Sequence, residues 1–484
     1  MTSSTATDIL TSPASVSGAS SFRDPDGVLL RREGRYLRVV RPSAAAELAE
    51  FLDSGFARRL FDEGRLPRTR ILTPAEAGLA DGVVMEHEPI PFPSFPYEWP
   101  PEMLHAAARL TLELAEGALD EGFGLKDATP YNVLYRGPDP VFVDLLSFER
   151  RTEGDPTWLS YAQFVRTFLL PLLGDKRRGL PLAQALLSRR DGLEPEEVYR
   201  LLGPIDRIRP PFLSLVSIPK WLGKTGNASG DSLYRKKVLA DNDKARFILR
   251  SLLRGLGRGL RRAEPASKNT SMWSSYMHGG NSYSDAQFAA KQAFVEQVLK
   301  EHRPRRVLDA GCNTGHFSAL AAGLGASVVA IDRDPAVVGE TWRMARSRRL
   351  DILPLVVDLC RPTPATGWRN RECASFLDRA RGAFDAVLML AVVHHMLVTE
   401  RVPLEWILEL AAELTTSLLV IEFVPRDDPM FRMLVRGRDE LHRDLTPEAF
   451  ETACRKRFDL IRSVRLEGSG RIVYAWRRTG GRGA

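Results

Sequence analysis

The sequence predicts an α/β protein of two domains, and three observations support this. From residue 304 onward, short apolar runs alternate with stretches of helical periodicity, which predicts a parallel sheet covered by helices. The 484 residues exceed the usual size of one domain, and 44% hydrophobic residues suffice for a core in each half. An Arg- and Gly-rich stretch over residues 254–270 marks the boundary. We therefore predict a disordered tail over residues 1–21, an N-terminal domain over 22–262 and a C-terminal domain over 263–484.

Composition and charge exclude several classes of protein. The net charge of +7, from 68 basic and 61 acidic residues, is too small an excess to indicate a dedicated nucleic-acid-binding protein. The four cysteines form neither a CxxC pair nor a zinc-binding pattern, which fits free thiols in a reducing cytoplasm. No apolar run reaches the ~18 residues that a transmembrane helix needs, and the N-terminus has no basic and apolar signal pattern. We therefore expect a cytoplasmic protein whose partner is not nucleic acid.

A helix is predicted just before the boundary. Its apolar positions recur at helical spacing, at Ile248, Leu249, Leu252, Leu253, Leu256 and Leu260. Its opposite face carries Arg246, Arg250, Arg254 and Arg258. We interpret it as a domain-closing helix with a solvated basic face, and the alternative is a basic amphipathic helix that binds a membrane surface or a partner.

Seven strands are predicted in the C-terminal half. In chain order they are RRVLDAG, SVVAID, DILPLVVDL, FDAVLMLAVVHH, SLLVIEFV, and a terminal hairpin of FDLIRSV and RIVYAWRR. The predicted helices between them cover HFSALAAGLG and residues 335–348, 403–414 and 447–458. Doubly wound sheets bind ligands at the carboxyl ends of their strands, so the strand ends are the first candidates for a site.

The turn after the first strand has the sequence DAGCNTG, from Asp309 to Gly315. Gly311 and Gly315 adopt positive φ freely, and Asn313 does so better than most residues, so the pattern predicts a tight turn. It lacks GxGxxG, which argues against a dinucleotide site. The next two strands end near Asp332 and Asp358, and an acid about 20 residues after the turn is a common partner of ribose hydroxyls.

This turn, in its DxGCNTG form, resembles the first motif of class I S-adenosylmethionine (SAM)-dependent methyltransferases. The resemblance covers about residues 270–484 and implies a Rossmann-like, seven-stranded methyltransferase sheet. The cofactor-binding residues that it implies are Asp309, Gly311, Asn313, Gly315, Asp332 and Asp358, with Asp358 accepting from the adenine amino group. The alternative for each acid alone is an ordinary solvated strand end.

The candidate catalytic residues follow from the chemistry of methyl transfer to a hydroxyl, which needs alignment and a base. In this family the residue that ends the fourth strand often faces the transferred methyl group, and here that place holds His394 and His395. We predict that one of them is the base and that Glu422 on the fifth strand orients it or the acceptor. Tyr283, with Lys291, is a further candidate for cofactor or acceptor binding. The alternative is that one histidine caps the strand and the other packs in the core.

The N-terminal half contains Asp127, followed five residues later by Asn132, and then two short strands and Asp144. This layout resembles the α+β protein-kinase-like fold, in particular small-molecule kinases such as aminoglycoside phosphotransferases. There the first Asp accepts the hydroxyl proton, and the Asn and second Asp hold the magnesium of Mg-ATP.

This half departs from the kinase pattern at the phosphate-binding elements. Residues 22–80 contain no GxGxxG loop, and the first lysine of the chain is Lys126, so Arg38 or Arg41 is the available substitute for a strand lysine. We therefore interpret the half as a degenerate kinase-like domain. The alternative is a chance spacing of Asp and Asn.

Motifs across almost the whole chain look typical of the NoeA-type host-specific nodulation methyltransferase family. They include YEWPPEMLHAA, LKDATPYNVLYRG, DAGCNTGHFSALAA and HHMLVTERVPL. The resemblance implies a SAM-dependent methyltransferase, and we expect O-methylation of a glycan or small metabolite with the kinase-like domain as a substrate-binding or scaffolding module. The alternatives are a bifunctional kinase-methyltransferase, an RNA methyltransferase that uses the basic segment 232–237, and an inactive SAM-sensing regulator.

Overall fold

The computed structural model describes residues 19–21, 23–77, 82–225, 238–266, 283–435 and 439–480. The chain divides into two compact units, one mainly of residues up to 266 and the other mainly of residues from 267. The predicted tail lies largely outside the described residues. Its last three residues differ from the prediction, because Ala19–Ser21 form a strand that pairs with the next one.

The N-terminal unit contains an antiparallel five-stranded sheet in the order β1-β2-β3-β5-β4. These strands are β1 (Ala19–Ser21), β2 (Gly27–Arg32), β3 (Arg35–Val40), β4 (Thr69–Leu72) and β5 (Val83–His87). Glu33 and Gly34 both have positive φ (50° and 79°), which is the backbone geometry that closes a two-residue hairpin. Four shorter strands follow: β6 (Phe123–Leu125), β7 (Val133–Arg136), β8 (Asp139–Phe142) and β9 (Phe148–Arg150).

The helices of this unit lie between and after its strands, and the last of them ends at the domain boundary. They are α1 (Pro42–Asp53), α2 (Gly55–Asp62), α3 (Pro74–Ala77), α4 (Pro101–Asp120), α5 (Tyr161–Phe164), α6 (Leu170–Arg178), α7 (Leu182–Leu187), α8 (Pro195–Leu201), α9 (Pro204–Ile208), α10 (Ile218–Thr225) and α11 (Asn242–Ala263). One π-helical turn, Val165–Leu169, joins α5 to α6, and another, Leu213–Ser217, precedes α10.

Helix α11 is the predicted domain-closing helix. Its leucines from Leu249 to Leu260 are mostly buried, and the helix packs against α4. The four arginines predicted for its opposite face are exposed, and the buried leucines favour the domain-closing interpretation. Ile248 differs from the prediction because it is 40% exposed. The leucine spacing continues past residue 254, so the Arg- and Gly-rich stretch is helical up to Ala263 and is not a linker.

The C-terminal unit contains the predicted seven-stranded sheet, in the order β12-β11-β10-β13-β14-β16-β15. The first five strands in this order are parallel, and β15 and β16 form the predicted antiparallel hairpin. The strands are β10 (Arg306–Ala310), β11 (Ser327–Asp332), β12 (Ile352–Val356), β13 (Phe384–Met389), β14 (Thr415–Phe423), β15 (Phe458–Arg465) and β16 (Ile472–Arg478).

Helices lie between these strands close to the predicted positions. They are α12 (Asp285–His302), α13 (His316–Gly323), α14 (Pro335–Arg348), α15 (Phe376–Ala380), α16 (Val393–Val398), α17 (Leu404–Leu414), α18 (Pro429–Val435) and α19 (Pro447–Arg455). The predicted helix over 447–458 ends early because Phe458 is fully buried as the first residue of β15.

The fourth strand is shorter than predicted. Strand β13 ends at Met389, because Ala391 has a φ of 55° that an extended strand does not tolerate. Helix α16 begins at Val393, so His394 and His395 lie in the first turn of a helix and not at the strand end. No helix in the described part of the chain is long and apolar enough to cross a membrane. All four cysteines are free thiols.

Candidate active site

A cleft opens at the carboxyl ends of β10, β11, β12 and β13. The predicted site residues that line it are Tyr283, Lys291, Gly311, Asn313, Asp332, Asp358 and His395. The predicted residues of the same unit that lie outside this lining are Asp309, Gly315, His394 and Glu422. The structure therefore brings most of the predicted residues to one cleft and places the rest behind its wall.

The turn after β10 has the predicted left-handed backbone. Gly311, Asn313 and Gly315 have φ values of 75°, 49° and 80°. A Cβ atom on Gly311 would lie 3.0 Å from the side chain of Val392, and one on Gly315 would lie 2.6 Å from Thr341. Both glycines are therefore required by close packing as well as by backbone conformation, and Gly315 acts from behind the cleft.

Asp309 holds the turn from below. Its carboxylate is 2% exposed and accepts a hydrogen bond from the Ser318 hydroxyl at 2.5 Å. Burial raises the pKa of Asp309 to about 6. The side chain ties β10 to α13 from outside the cleft lining, and its predicted role in cofactor binding stays a prediction.

Asp332 is the last residue of β11 and faces the cleft. Its Oδ2 accepts from the backbone N–H of Asn313 at 3.1 Å, and its Oδ1 accepts from that of Asp334 at 3.0 Å. Burial raises the pKa of Asp332, and these two N–H groups oppose that shift. The carboxylate is thus held in one orientation, and each oxygen keeps a lone pair for a further donor.

Asp358 lies two residues beyond the end of β12, in the loop that lines the cleft. Its Oδ1 accepts from the backbone N–H of Cys360 at 2.8 Å, and its Oδ2 lies 3.5 Å from Nη1 of Arg361. Glu400 joins the same lining and forms ion pairs with Arg361 at 2.5 Å and Arg333 at 3.6 Å. This side of the cleft is therefore rimmed by paired charges.

Behind the opposite wall lies a buried ion cluster, which consists of Tyr283, Lys291, Glu422, Asp428 and Arg471. The Tyr283 hydroxyl donates to Glu422 Oε1 at 2.6 Å, and Lys291 Nζ donates to Glu422 Oε2 at 2.7 Å and to the Tyr283 oxygen at 3.0 Å. Burial lowers the pKa of Lys291, and the charge of Glu422 opposes that shift. Tyr283 and Lys291 line the cleft, whereas Glu422 is fully buried.

Glu422 is fully buried and lies outside the cleft lining. Its hydrogen-bonding and ionic partners among the described residues all belong to the cluster, namely Tyr283, Lys291 and Arg471. Its carboxylate is therefore the counterion of Lys291 and Arg471, and no hydrogen bond joins it to either histidine in the described part of the chain. Its role in orienting the base or the acceptor stays a prediction.

The two histidines of α16 have different surroundings. His395 lines the cleft, and burial lowers its pKa to about 4, with Arg333 and Arg471 adding to the shift. His394 is 2% exposed, and neither of its ring nitrogens has a hydrogen-bond partner among the residues that the structure describes. Their ring centroids lie 4.2 Å apart. Of the two predicted bases, His395 is the one in the cleft, and it is neutral near pH 7.

The N-terminal unit brings its three predicted residues together. Asn132 Nδ2 lies 3.5 Å from Asp144 Oδ2, and burial together with the charge of Asp144 raises the pKa of Asp127. Arg38 on β3 donates from Nη1 to Asp144 Oδ1 at 3.0 Å and to Asp24 Oδ2 at 3.3 Å. A guanidinium therefore neutralises Asp144, and the described residues contain no acid, His or Cys group arranged to hold a metal ion.

Several residues of the site were missed by the sequence analysis. Arg471 and Asp428 complete the buried ion cluster, and Glu400 completes the charged rim. Arg471 carries a signal in retrospect, since it is a charge directly before the apolar strand IVYAW. Glu400 carries none, because an acid in a polar loop is usually solvated.

Comparisons with known proteins agree with this geometry. A family described as a methyltransferase domain matches residues 283–460. The nodulation protein NoeA of Rhizobium meliloti (strain 1021) is 30% identical over 473 residues, which are 95% of this chain and 96% of NoeA. The chain belongs to the NoeA family. Together with the methyltransferase domain, this makes the NoeA-family chain a SAM-dependent methyltransferase.

Solved methyltransferase structures match part of the NoeA-family chain. The match to the N-methyltransferase NodS from Bradyrhizobium japonicum WM9 covers 40% of this chain and 98% of NodS, at 14% identity and a TM-score of 0.31. The match to magnesium protoporphyrin IX methyltransferase from Synechocystis PCC 6803, with bound S-adenosylhomocysteine (SAH), covers 48% of this chain and 99% of that enzyme. Its identity is 18% and its TM-score is 0.30. The match to the bifunctional kinase-methyltransferase WbdD covers 42% of this chain and 41% of WbdD, at 18% identity and a TM-score of 0.30.

Proposed function

We propose that this NoeA-family enzyme methylates an oxygen atom of a glycan or small-metabolite acceptor, with His395 as the base. The observation that carries the proposal is a neutral imidazole in the wall of the cleft that contains the DAGCNTG turn and Asp332. A neutral imidazole accepts the proton of a hydroxyl as its oxygen attacks. A base is less needed for a softer nucleophile, so its presence favours oxygen.

The residues of the cleft fit SAM, which supplies an electrophilic methyl group on a sulfonium. Gly311 lines the cleft without a side chain, so a ligand can approach its main chain there. Asp332 offers a fixed carboxylate to ribose hydroxyls, and Asp358 offers one to an amino group on adenine. Lys291 offers a cation to the carboxylate of the amino-acid part, with Tyr283 beside it.

The N-terminal unit has the part of an acceptor-binding or scaffolding module in this proposal. Asp127 is half-buried, and its Oδ1 accepts a hydrogen bond from Nε2 of Gln163 at 3.4 Å. Carboxylates of this kind accept hydrogen bonds from sugar hydroxyls. Arg38 Nη1 donates to Asp144 Oδ1, so a guanidinium already neutralises the predicted metal ligand, which supports a binding role over phosphoryl transfer.

The experiment that tests the proposal supplies the full chain with SAM labelled on its methyl group. Purified protein is incubated with four fractions of a cell that naturally makes this enzyme: glycans, lipid-linked saccharides, small metabolites and RNA. We expect label in a saccharide or metabolite fraction, and chromatography after acid hydrolysis should show an O-methyl product. Excess SAH is the control and should abolish the labelling. Label that ribonuclease releases, or label on nitrogen, would overturn the assignment.

A second candidate, a bifunctional kinase-methyltransferase, is favoured by the closeness of Asp127, Asn132 and Asp144. Calorimetric titration of Mg-ATP into the SAH-saturated protein tests it. We expect a flat trace, because Arg38 already neutralises Asp144. A magnesium-dependent isotherm that Asp144→Ala abolishes and that the exposed Asp62→Ala retains would establish a nucleotide site and favour the bifunctional enzyme.

A further inference from the structure

Arg471 is fully buried directly before β16, and its guanidinium is shared among three groups. Its Nε donates to Asp428 Oδ2 at 2.7 Å, and its Nη1 lies 3.5 Å from Glu422 Oε1. The guanidinium carbon lies 4.3 Å from the centroid of the Tyr283 ring. Nη2 is buried, and no residue in the described part of the chain forms a hydrogen bond with it. The side chain therefore contacts the ring of Tyr283, a residue that also lines the cleft.

The ring of Tyr283 is constrained from two directions. Its hydroxyl is held by Glu422 and Lys291, at 2.6 and 3.0 Å. The cation of Arg471 lies over its ring, where the ring quadrupole attracts it. A tyrosine held at its hydroxyl alone can still swing about that point, and contact with the ring removes this freedom.

The cluster is a costly way to fill a core. Two cations and two carboxylates, Arg471 and Lys291 with Glu422 and Asp428, balance in charge but must all be taken out of water. Apolar residues of similar volume often replace buried ion pairs without loss of stability. Two members of the cluster, Tyr283 and Lys291, line the cleft. A role in shaping the cleft therefore explains the presence of the cluster better than a contribution to the stability of the fold does.

We propose that Arg471 is a positioning residue for methyl transfer, acting on the cofactor cleft through Tyr283. This inference rests on the proposed function, in which Tyr283 belongs to the cofactor-binding wall. Arg471 stacks on the ring and anchors it to Asp428, so that Tyr283 meets the cofactor already ordered. Lysine cannot reproduce this role, because an ammonium lacks the planar face and the fork of donors.

A double-mutant cycle on the full chain tests the proposal, with the Kd of SAH measured by calorimetry and the melting temperature measured in parallel. We expect Tyr283→Ala and Arg471→Lys each to raise the Kd about tenfold. The double variant should be no more than about twofold weaker than Tyr283→Ala alone, because Arg471 acts through the ring. Arg462→Lys is the matched control. The guanidinium carbon of Arg462 lies 5.9 Å from the ring centroid of Phe294, and neither residue lines the cleft. This variant should leave the Kd of SAH unchanged.

The outcomes separate three cases. If Arg471→Lys lowers the melting temperature but leaves the Kd unchanged, or if the two effects multiply, Arg471 is a structural residue and the inference is wrong. If Tyr283→Ala itself leaves the Kd unchanged, the proposed cofactor wall is wrong as well. Should Arg471→Lys fail to fold, the charge-balanced pair Arg471→Gln with Asp428→Asn replaces it in the same cycle, with the same expected non-additivity.

Discussion

Replacing Asp332 by Asn should weaken SAH binding about a hundredfold, since charge-assisted hydrogen bonds contribute about 1.5–3 kcal/mol each. The native carboxylate accepts from the backbone N–H groups of Asn313 and Asp334 at once. An amide has one oxygen, so its NH2 group would face one of these donors. The turn would lose its fixed orientation, and the ligand would lose a charged acceptor. Calorimetric titration with SAH measures the loss.

The matched control for this variant is Asp459→Asn, an exposed acid of β15 in the same unit. It should bind SAH like the wild type. The melting temperature of Asp332→Asn should change little, because the lost hydrogen bond is offset by removal of a buried charge. Wild-type affinity in Asp332→Asn would show that the cofactor lies elsewhere.

Replacing His395 by Gln should lower the rate of methyl transfer by about 10²-fold or more, which is the usual contribution of a general base. The Kd of SAH should stay within about twofold, because glutamine keeps a polar side chain of similar length in the wall. The rate is measured with labelled SAM and the acceptor fraction that takes up label. His302→Gln, a partly exposed histidine of α12, is the control with an expected wild-type rate.

The pH dependence adds an independent readout for His395. Its pKa is lowered to about 4, so the neutral base is present above that pH and is lost as the pH falls through it. The wild-type rate should therefore be flat between pH 5 and 8 with respect to this group. A fall with a midpoint near 6.5 would indicate an ordinary solvated imidazole. Retention of the wild-type rate in the double variant His394→Gln with His395→Gln, with SAH still bound, would refute the assignment of the base.

The stability of the fold should also depend on pH through these histidines. Burial lowers the pKa of both His394 and His395 in the folded chain. Below about pH 6.5 the unfolded chain takes up protons that the folded chain does not, so stability decreases as the pH falls. This is the ordinary cost of a histidine kept neutral inside a protein.

Local patterns predicted most of the fold of the C-terminal unit. The seven strands and the terminal hairpin follow from apolar runs, and the positive φ values of Gly311, Asn313 and Gly315 follow from residue type. These features depend on neighbours within a few residues along the chain. The end of β13 was not predictable in the same way, because LMLAVV is apolar throughout and only the backbone at Ala391 separates strand from helix.

What the sequence by itself determined is the order of strands and helices, the bare turn after β10 and the acids at the strand ends. What only the tertiary structure decided is which of these side chains reach the cleft. His395 faces it and His394 does not, because α16 starts just before them. Glu422 forms an ion pair with Lys291, a residue 131 positions away in the chain. Electrostatic pairing in a core joins residues that are distant in the chain, and no local pattern records it.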